Sequence, residues 1–342
     1  MFLKTLYVNG MIFTSNQEVP YAQAMSVSLG GIDYVGTTEG LLNSLGISNL
    51  YDPKLSEYEV IDLKGRTVIP GFIDADIRER AFDGNELARK GIIGVCALGS
   101  LGDEEVFQNY LNASNQGLNQ YVSLYLPWDF VKKHPEAMED KQKFIRSRRV
   151  HIAGIEIPGE REISEEDYRE ALEFCKNNYC QISVKISDED PSSTMLQLLM
   201  QEQSWLEDLD IPPARVHRGG SDFHPFDAVE KELTAQIEAE EAQRNQDVYG
   251  LDSIIIGYTK LASHYGGFLD IGEIKKGGKA CFLILNRDLS QIPVEELHLV
   301  APEVTIIDGK IAYKEEGSTF KLADKSVAAN QDQGLGIKLV EK

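Results

Sequence analysis

Val68-Ile69-Pro70-Gly71-Phe72-Ile73-Asp74-Ala75-Asp76-Ile77-Arg78 is an apolar run that breaks at Pro70-Gly71 and resumes as a short strand ending in polar residues at alternate positions. Alternation along a strand predicts Asp74, Asp76 and Arg78 on one face, with Ala75 and Ile77 on the other. Such a cluster at a strand end is a natural place for chemistry. Its donor set is mixed, however: a carboxylate ligates a hard cation, whereas a guanidinium stays protonated and repels one.

Outward from this stretch the chain divides by pattern. Residues before about 66 read as all-β with one short helix near Thr38. Asn9-Gly10 and Gly30-Gly31 mark two expected hairpins. From about 67 to 225 strands alternate with helical periods, the strands expected at 68–77, 92–98, 120–127, 150–157, 180–187 and 214–222. Helical periods are expected at 85–90, 104–114, 135–149, 165–178 and 194–209, with Ser164 as an N-terminal cap. Strands alternating with helices imply a parallel sheet, closed as a barrel or open. Two further helices are expected at 226–244 and 251–265, the first an acidic one with Val229, Leu233 and Ile237 as its buried stripe. Strand patterns return after Ile274, with a hairpin at Asp308-Gly309, and a polar tail follows.

The chain has 342 residues, enough for one large unit plus a small one. A formal net charge of −21 opposes a nucleic-acid or anionic-membrane partner, because either needs a basic face. No secretory leader and no run of ~18 apolar residues is read, so a cytoplasmic protein of bacterial type is expected. Cys96, Cys175, Cys180 and Cys281 show no metal spacing and are expected to be buried thiols.

The opening stretch resembles the "PGFIDxHxH" motif of the amidohydrolase superfamily, most closely its family 3 branch. The resemblance extends over Tyr7-Val8-Asn9-Gly10-Met11-Ile12-Phe13-Thr14, the stretch from Val60 to Ala75, Gly219-Gly220-Ser221-Asp222, and the stretch from Leu269 to Ala280. It implies a shortened or distorted TIM-like (β/α) barrel at 67–269, with a composite β-sandwich from 1–66 plus 270–325 and a polar tail at 326–342. Members usually hold zinc or another divalent metal on two first-strand histidines, with a final-strand aspartate as general base. Asp76 and Arg78 stand at those two histidine places, and Lys185 stands where a fifth-strand histidine is expected. His217 is the candidate for the sixth strand, and Asp222 matches the last aspartate.

The expected site therefore consists of Asp222 and Lys185 as catalytic candidates, with Asp74, Asp76, Arg78, Trp128, His217 and His224 around them. No resident metal is expected; a cation, if held, falls to Asp74, Asp76, His217 and Asp222. Each has a plainer reading. Asp222 suits a turn or helix cap, His217 a half-buried polar contact, and Arg78 or Lys185 a counter-charge for carboxylates. His134, His151, His264 and His298 have no ligand spacing and are expected to be surface or core residues. Gly219-Gly220 lacks the Lys-Ser/Thr of a phosphate loop.

Three functions compete: a hydrolase of non-peptide carbon–nitrogen bonds with an altered site, a catalytically silent relative binding a small molecule or protein in the same pocket, and a metal-independent lyase or isomerase using Asp222 and Lys185. A small-molecule ligand and a homo-oligomer fit all three. The counter-charge reading makes a prediction. Arg78→Met should lower stability by about 3–5 kcal/mol where the guanidinium neutralises buried carboxylates. Melts with and without zinc check it, since a variant as stable as the parent and further stabilised by zinc would instead mark a working metal site.

Overall fold

The computed structural model describes residues 4–77, 83–98, 112, 118–138, 149–157, 163–185, 215–217, 223–241 and 250–320. In chain order the first strands are β1 (Thr5–Val8), β2 (Met11–Phe13), β3 (Tyr21–Ala22), β4 (Ala24–Ser28), β5 (Gly31–Gly36), β6 (Glu59–Asp62), β7 (Thr67–Pro70) and β8 (Phe72–Ile77). The later ones are β9 (Ile92–Ala97), β10 (Tyr121–Pro127), β11 (Val150–Ile157), β12 (Gln181–Lys185), β13 (Arg215–His217), β14 (Phe282–Leu285), β15 (Pro302–Ile307) and β16 (Lys310–Lys314).

The expected strand over 68–77 is two strands in two different sheets. β7 ends at Pro70 in a six-stranded sheet ordered β16-β15-β14-β7-β2-β3, which draws on both ends of the chain. One residue later β8 opens the parallel sheet. Gly71 makes this crossing sterically feasible: a Cβ there would lie 2.3 Å from Ile93 Cγ2, and its amide reaches the Cys281 carbonyl at 3.3 Å. Asn9-Gly10 likewise joins sheets and does not close a hairpin. β1 pairs with β4 and β6 in a four-stranded sheet, whereas β2 pairs with β3 and β7. Asn9 takes a positive φ of 56°, and a Cβ on Gly10 would meet Leu63 Cδ1 at 2.4 Å. The hairpin signal shows that the backbone bends there, but the partner of each strand is chosen by burial. Asp308-Gly309 does close a hairpin, β15 to β16, with both residues at positive φ as a type I′ turn requires.

Apolar side chains from both ends of the chain share one core, which includes Tyr7, Ile12, Met25, Val68, Phe282 and Ile306. Arg66 on the N-terminal side is paired with Glu303 on the C-terminal side at 2.7 Å.

β8 to β13 form a parallel sheet in strict sequence order, β13-β12-β11-β10-β9-β8. Among the described residues no further strand joins β13 back to β8, so the sheet is an open half-barrel. Helices Gly84–Arg89, Trp128–Lys133 and Glu165–Asn178 cover one face through Leu87, Trp128, Val131, Tyr168, Ala171 and Cys175. All lie on the same side, as repeated right-handed crossovers demand when a sheet curls. Ser164 caps the last of these, accepting the Asp167 amide at 3.1 Å. The helix over 165–178 has the predicted bounds, while the short helix Trp128–Lys133 was not among the expected ones. The expected helices at 104–114 and 194–209 fall outside the described residues apart from position 112.

The opposite, inner face is covered by chain from after the barrel strands. Helix Leu251–Ile256 passes through a π-helical turn, Gly257–Leu261, into Ala262–Tyr265. Ala262, Phe268 and Ile271 then pack on Ile73, Ile93, Cys96, Tyr121 and Tyr125. Helix Pro225–Glu241 packs in a separate core with Ile69 and Leu283, where Phe226 stands edge-on against Phe72, centroids 5.2 Å apart. Among the described residues no helix is long and apolar enough to cross a membrane.

Gly71→Ala should cost about 1–3 kcal/mol, the usual range for overpacking a tight core. Urea melts of Gly71→Ala and of Gly71→Ala/Ile93→Ala check it. The second change, by removing the two Cγ atoms struck, should recover part of the loss that it would cause alone.

Candidate active site

In a sheet of this winding the carboxyl ends of the strands carry the chemistry. β8 reaches that end through a bulge. Asp74 pairs with Val95 and Ile77 with Ala97, so Ala75 and Asp76 together stand opposite the single residue Cys96. Val95, Ala97 and Ile77 belong to the helix-side core, whereas Cys96 and Ala75 belong to the inner one. The bulge thus turns Asp76 to the inner face, while Asp74 keeps the side of Val95. The expected arrangement, with Asp74 and Asp76 on one face and Ala75 and Ile77 on the other, is corrected here: the inserted residue shifts the alternation by one. The Asp74 carboxylate accepts the Asp76 amide at 3.0 Å and so holds the bulge. Both acids have further interactions within the structure.

The same alternation assigns the inner face of the other strands. Val122 and Leu124, Val150 and Ile152, Ile155 and Ile157, Ile182 and Val184 all lie in the helix-side core. Ser123, His151, Glu156 and Ser183, which stand between them, therefore face inward. Along one rung Ser123 pairs with Cys96 and with His151; along another Glu156 pairs with Pro127 and Ser183. The hydroxyls of Ser123 and Ser183, both fully buried, find no hydrogen-bond partner among the described residues. Glu156 is a buried acid that the sequence reading missed. Its signal was a lone carboxylate in a strand, Val150 to Ile157, that is apolar but for His151.

The turn after Tyr265 closes the middle of this face. Tyr125 donates its hydroxyl to the Gln181 side-chain oxygen and lies 2.7 Å from the Tyr265 carbonyl. His151 Nε2 is 3.1 Å from the Gly266 carbonyl, and its ring meets Phe268 edge-on. At the amino end of the strands Asp308 bonds Tyr121 at 2.5 Å and Arg149 at 2.8 Å, so the β15–β16 turn docks beneath the parallel sheet. Burial, with Asp308 nearby, pushes the Cys281 thiol well up, as an inert structural thiol requires.

The predicted residues do not all meet. Asp76 is on the inner face. Lys185 pairs in register with His217 at the ends of β12 and β13. Trp128 is buried on the helix side against Phe174, centroids 5.6 Å apart, and so is separated from the inner face by the sheet. The strand ends at Pro127, as expected, but a helix starts at the next residue and turns Trp128 outward. His224 is exposed ahead of helix Pro225–Glu241, its carbonyl accepting the Ala228 amide at 2.9 Å. It lies near Glu86, whose carboxyl sits below the ordinary range chiefly through its bond with Arg89, with a smaller pull from His224. Arg78 and Asp222 lie outside the described residues.

The residues that stand at two of the ligand places implied by the resemblance do not suit a divalent metal. Among the described residues no three His, Cys, Asp or Glu side chains gather as ligands. Two of the expected ligand places are Arg78 and Lys185, whose cationic groups offer no lone pair at neutral pH.

A single-wound parallel half-barrel, with a mixed sheet shared by the two ends of the chain, is also the arrangement of several solved hydrolases and deaminases. An uncharacterized metal-dependent hydrolase from Pyrococcus horikoshii OT3 superposes with a TM-score of 0.62 at 12% identity, over 85% of this chain and 99% of that one. Enamidase, described as a member of the amidohydrolase superfamily, gives 0.55 at 14% identity, over 94% and 98%. A zinc-bound adenosine deaminase from Xanthomonas campestris gives 0.61 at 11% identity, over 90% and 92%. At such identities the likeness establishes the fold. No protein-family model matches the chain. A curated relative, the exoenzymes regulatory protein AepA of Pectobacterium carotovorum subsp. carotovorum, is 36% identical over 74 residues, which is 22% of this chain and 14% of that protein.

The segment covering the inner face is fastened by Glu273, which bonds Lys260 at 2.9 Å and Lys275 at 2.6 Å. Burial raises the Glu273 carboxyl, but the two lysines outweigh it and hold it below the ordinary range. A depressed carboxylate stabilises above its unfolded pKa of about 4.3, and that contribution disappears as pH falls through the folded value. Because both lysines are partly exposed, the expected share is only about 1 kcal/mol. Glu273→Gln should lose it at pH 7, and the difference from the parent should vanish on acidification, which urea melts at several pH values would show.

Proposed function

We propose that this chain is an amidohydrolase-type protein that takes a small carbon–nitrogen compound at the carboxyl ends of its parallel strands and hydrolyses a non-peptide bond there, the usual metal ligands being largely replaced. The bulge in β8 carries this reading, because it aims Asp76 into the face where the fold gathers its reactive groups. Enamidase and adenosine deaminase, which share the fold, are named for reactions at carbon–nitrogen bonds. In this reading Asp222 takes a proton from the attacking water. Lys185 opposes the charge that develops on the carbon's substituent and gives a proton to the leaving nitrogen. Asp76 and Glu156 bind and orient the polar substrate. No step is routed through a metal, since Arg78 and Lys185 replace its ligands.

A second reading, a silent relative that binds a small molecule or a protein in the same place, is favoured by the turn at Tyr265–Phe268, which packs over Tyr125 and His151. The composite sandwich of 1–66 plus 270–325, the barrel unit at 67–269, a cytoplasmic bacterial setting, homo-oligomerisation, and the lack of nucleic-acid or membrane partners belong to the same proposal.

Metal analysis of protein purified without a histidine tag should find well under one equivalent of zinc, manganese, iron or nickel. Turnover of a panel of amides, aminopurines and aminotriazines should fall about 10²–10⁴-fold in kcat in Asp222→Asn, with little change in KM. Stoichiometric metal would overturn the metal-free mechanism. Retained small-molecule binding with no turnover of any panel member would overturn catalysis in favour of the silent relative.

A further inference from the structure

Cys175 and Cys180 lie at the point where helix Glu165–Asn178 turns into β12. We infer that they are a redox couple, closing a reversible disulfide that ties this helix to the strand ending at Lys185. The sequence offered no reason to join them: five residues apart on a helix, two side chains point to different faces. The turn brings them together. Tyr179 adopts the left-handed conformation (φ 50°, ψ 54°) and ends the helix, and the Cys180 amide folds back to bond the Cys175 carbonyl at 3.1 Å. The Cys180 thiol then points at Cys175 Sγ from 3.3 Å. A disulfide needs about 2.05 Å between sulfurs, so closing it brings the two together by roughly 1 Å.

No other thiol competes. Cys96 and Cys281 belong to the inner-face core, on the other side of the sheet from Cys175 and Cys180. Both members of the pair are buried, but the residue between helix and strand is not: Tyr179 is 63% exposed. Helix ends open locally at little cost, so a small oxidant reaches the pair through the last turn. The oxidant class is a peroxide. The Cys175 thiolate attacks one peroxide oxygen, giving a sulfenic acid and releasing water. The Cys180 sulfur then displaces that hydroxyl as a second water, so two thiols and one peroxide yield one disulfide and two waters.

Oxidation acts on the inner face through one residue. The Cys175 thiol donates to the Gln181 carbonyl at 3.6 Å, and the Gln181 side chain accepts the Tyr125 hydroxyl. The disulfide removes the first contact and pins the start of β12, the strand that also carries Ser183. This coupling does not depend on which reaction the chain performs.

The test is thiol mapping of the folded, full-length chain. Reduced protein is desalted, treated with hydrogen peroxide, unfolded, alkylated and digested. In the expected result the peptide spanning Cys175 and Cys180 loses two hydrogens and escapes alkylation, while Cys96 and Cys281 are alkylated; dithiothreitol restores all four thiols of the chain. In Cys175→Ser, Cys180 stays free of any disulfide. Alkylation of both Cys175 and Cys180 after peroxide, separate sulfinic acids on them, or a bridge from either to Cys96, Cys281 or another molecule overturns the inference. The wild-type map decides the matter even if the serine variant does not fold.

Discussion

One residue without a side chain allows the two halves of this molecule to touch. Gly71 lies between a strand of the mixed sheet and the first strand of the parallel one, with Ile93 filling the volume where a Cβ would be. Interiors are packed as densely as organic crystals, so such a crossing has no slack to take up a methyl group. Because β7 and β8 are consecutive, fixing this corner fixes how the mixed sheet stands against the half-barrel. Thr305 then bonds the Ala88 carbonyl at 2.7 Å, and Asp308 reaches Tyr121 and Arg149, so the docking is finished by polar contacts at the rim.

The second constraint is what fills the inner face. A closed barrel packs its own side chains in layers. Here the described strands form only part of such a ring, and apolar residues after the barrel region supply the cover. Phe268 and Ile271 bury the carbon surface, while carbonyls of Tyr265 and Gly266 meet Tyr125 and His151. The π-helical turn serves the same end. An extra residue in that turn lets Thr259 bond both the Ile255 carbonyl and Ser15 at 2.9 Å, locking the segment to the N-terminal region. Glu156 and Ser183, polar strand residues further along the same face, are buried beside each other in register.

Much of this was legible in the sequence. Six strands, the helix over 165–178 with its serine cap, and the paired helices before 265 follow from period and capping, which are local properties. The Pro70-Gly71 break and the Asp74-Ala75-Asp76 run pointed to the architecture, and the fold agrees. That Arg78 and Lys185 offer no lone pair was equally plain, because residue identity alone decides it.

Other features required the tertiary structure. The Asn9-Gly10 pair carries a strong turn signal, yet the strands on either side go to different sheets, since partner choice depends on burial across the whole core. The side of Asp76 turned on a bulge, and a bulge is set by the register of two strands that sequence alternation treats singly. Trp128 was placed by a helix that starts directly after the strand, and Glu156 by neighbours from strands distant in sequence. The two sulfurs at 175 and 180 became neighbours through one left-handed residue. Local chemistry wrote the elements, and long-range packing decided which faces met.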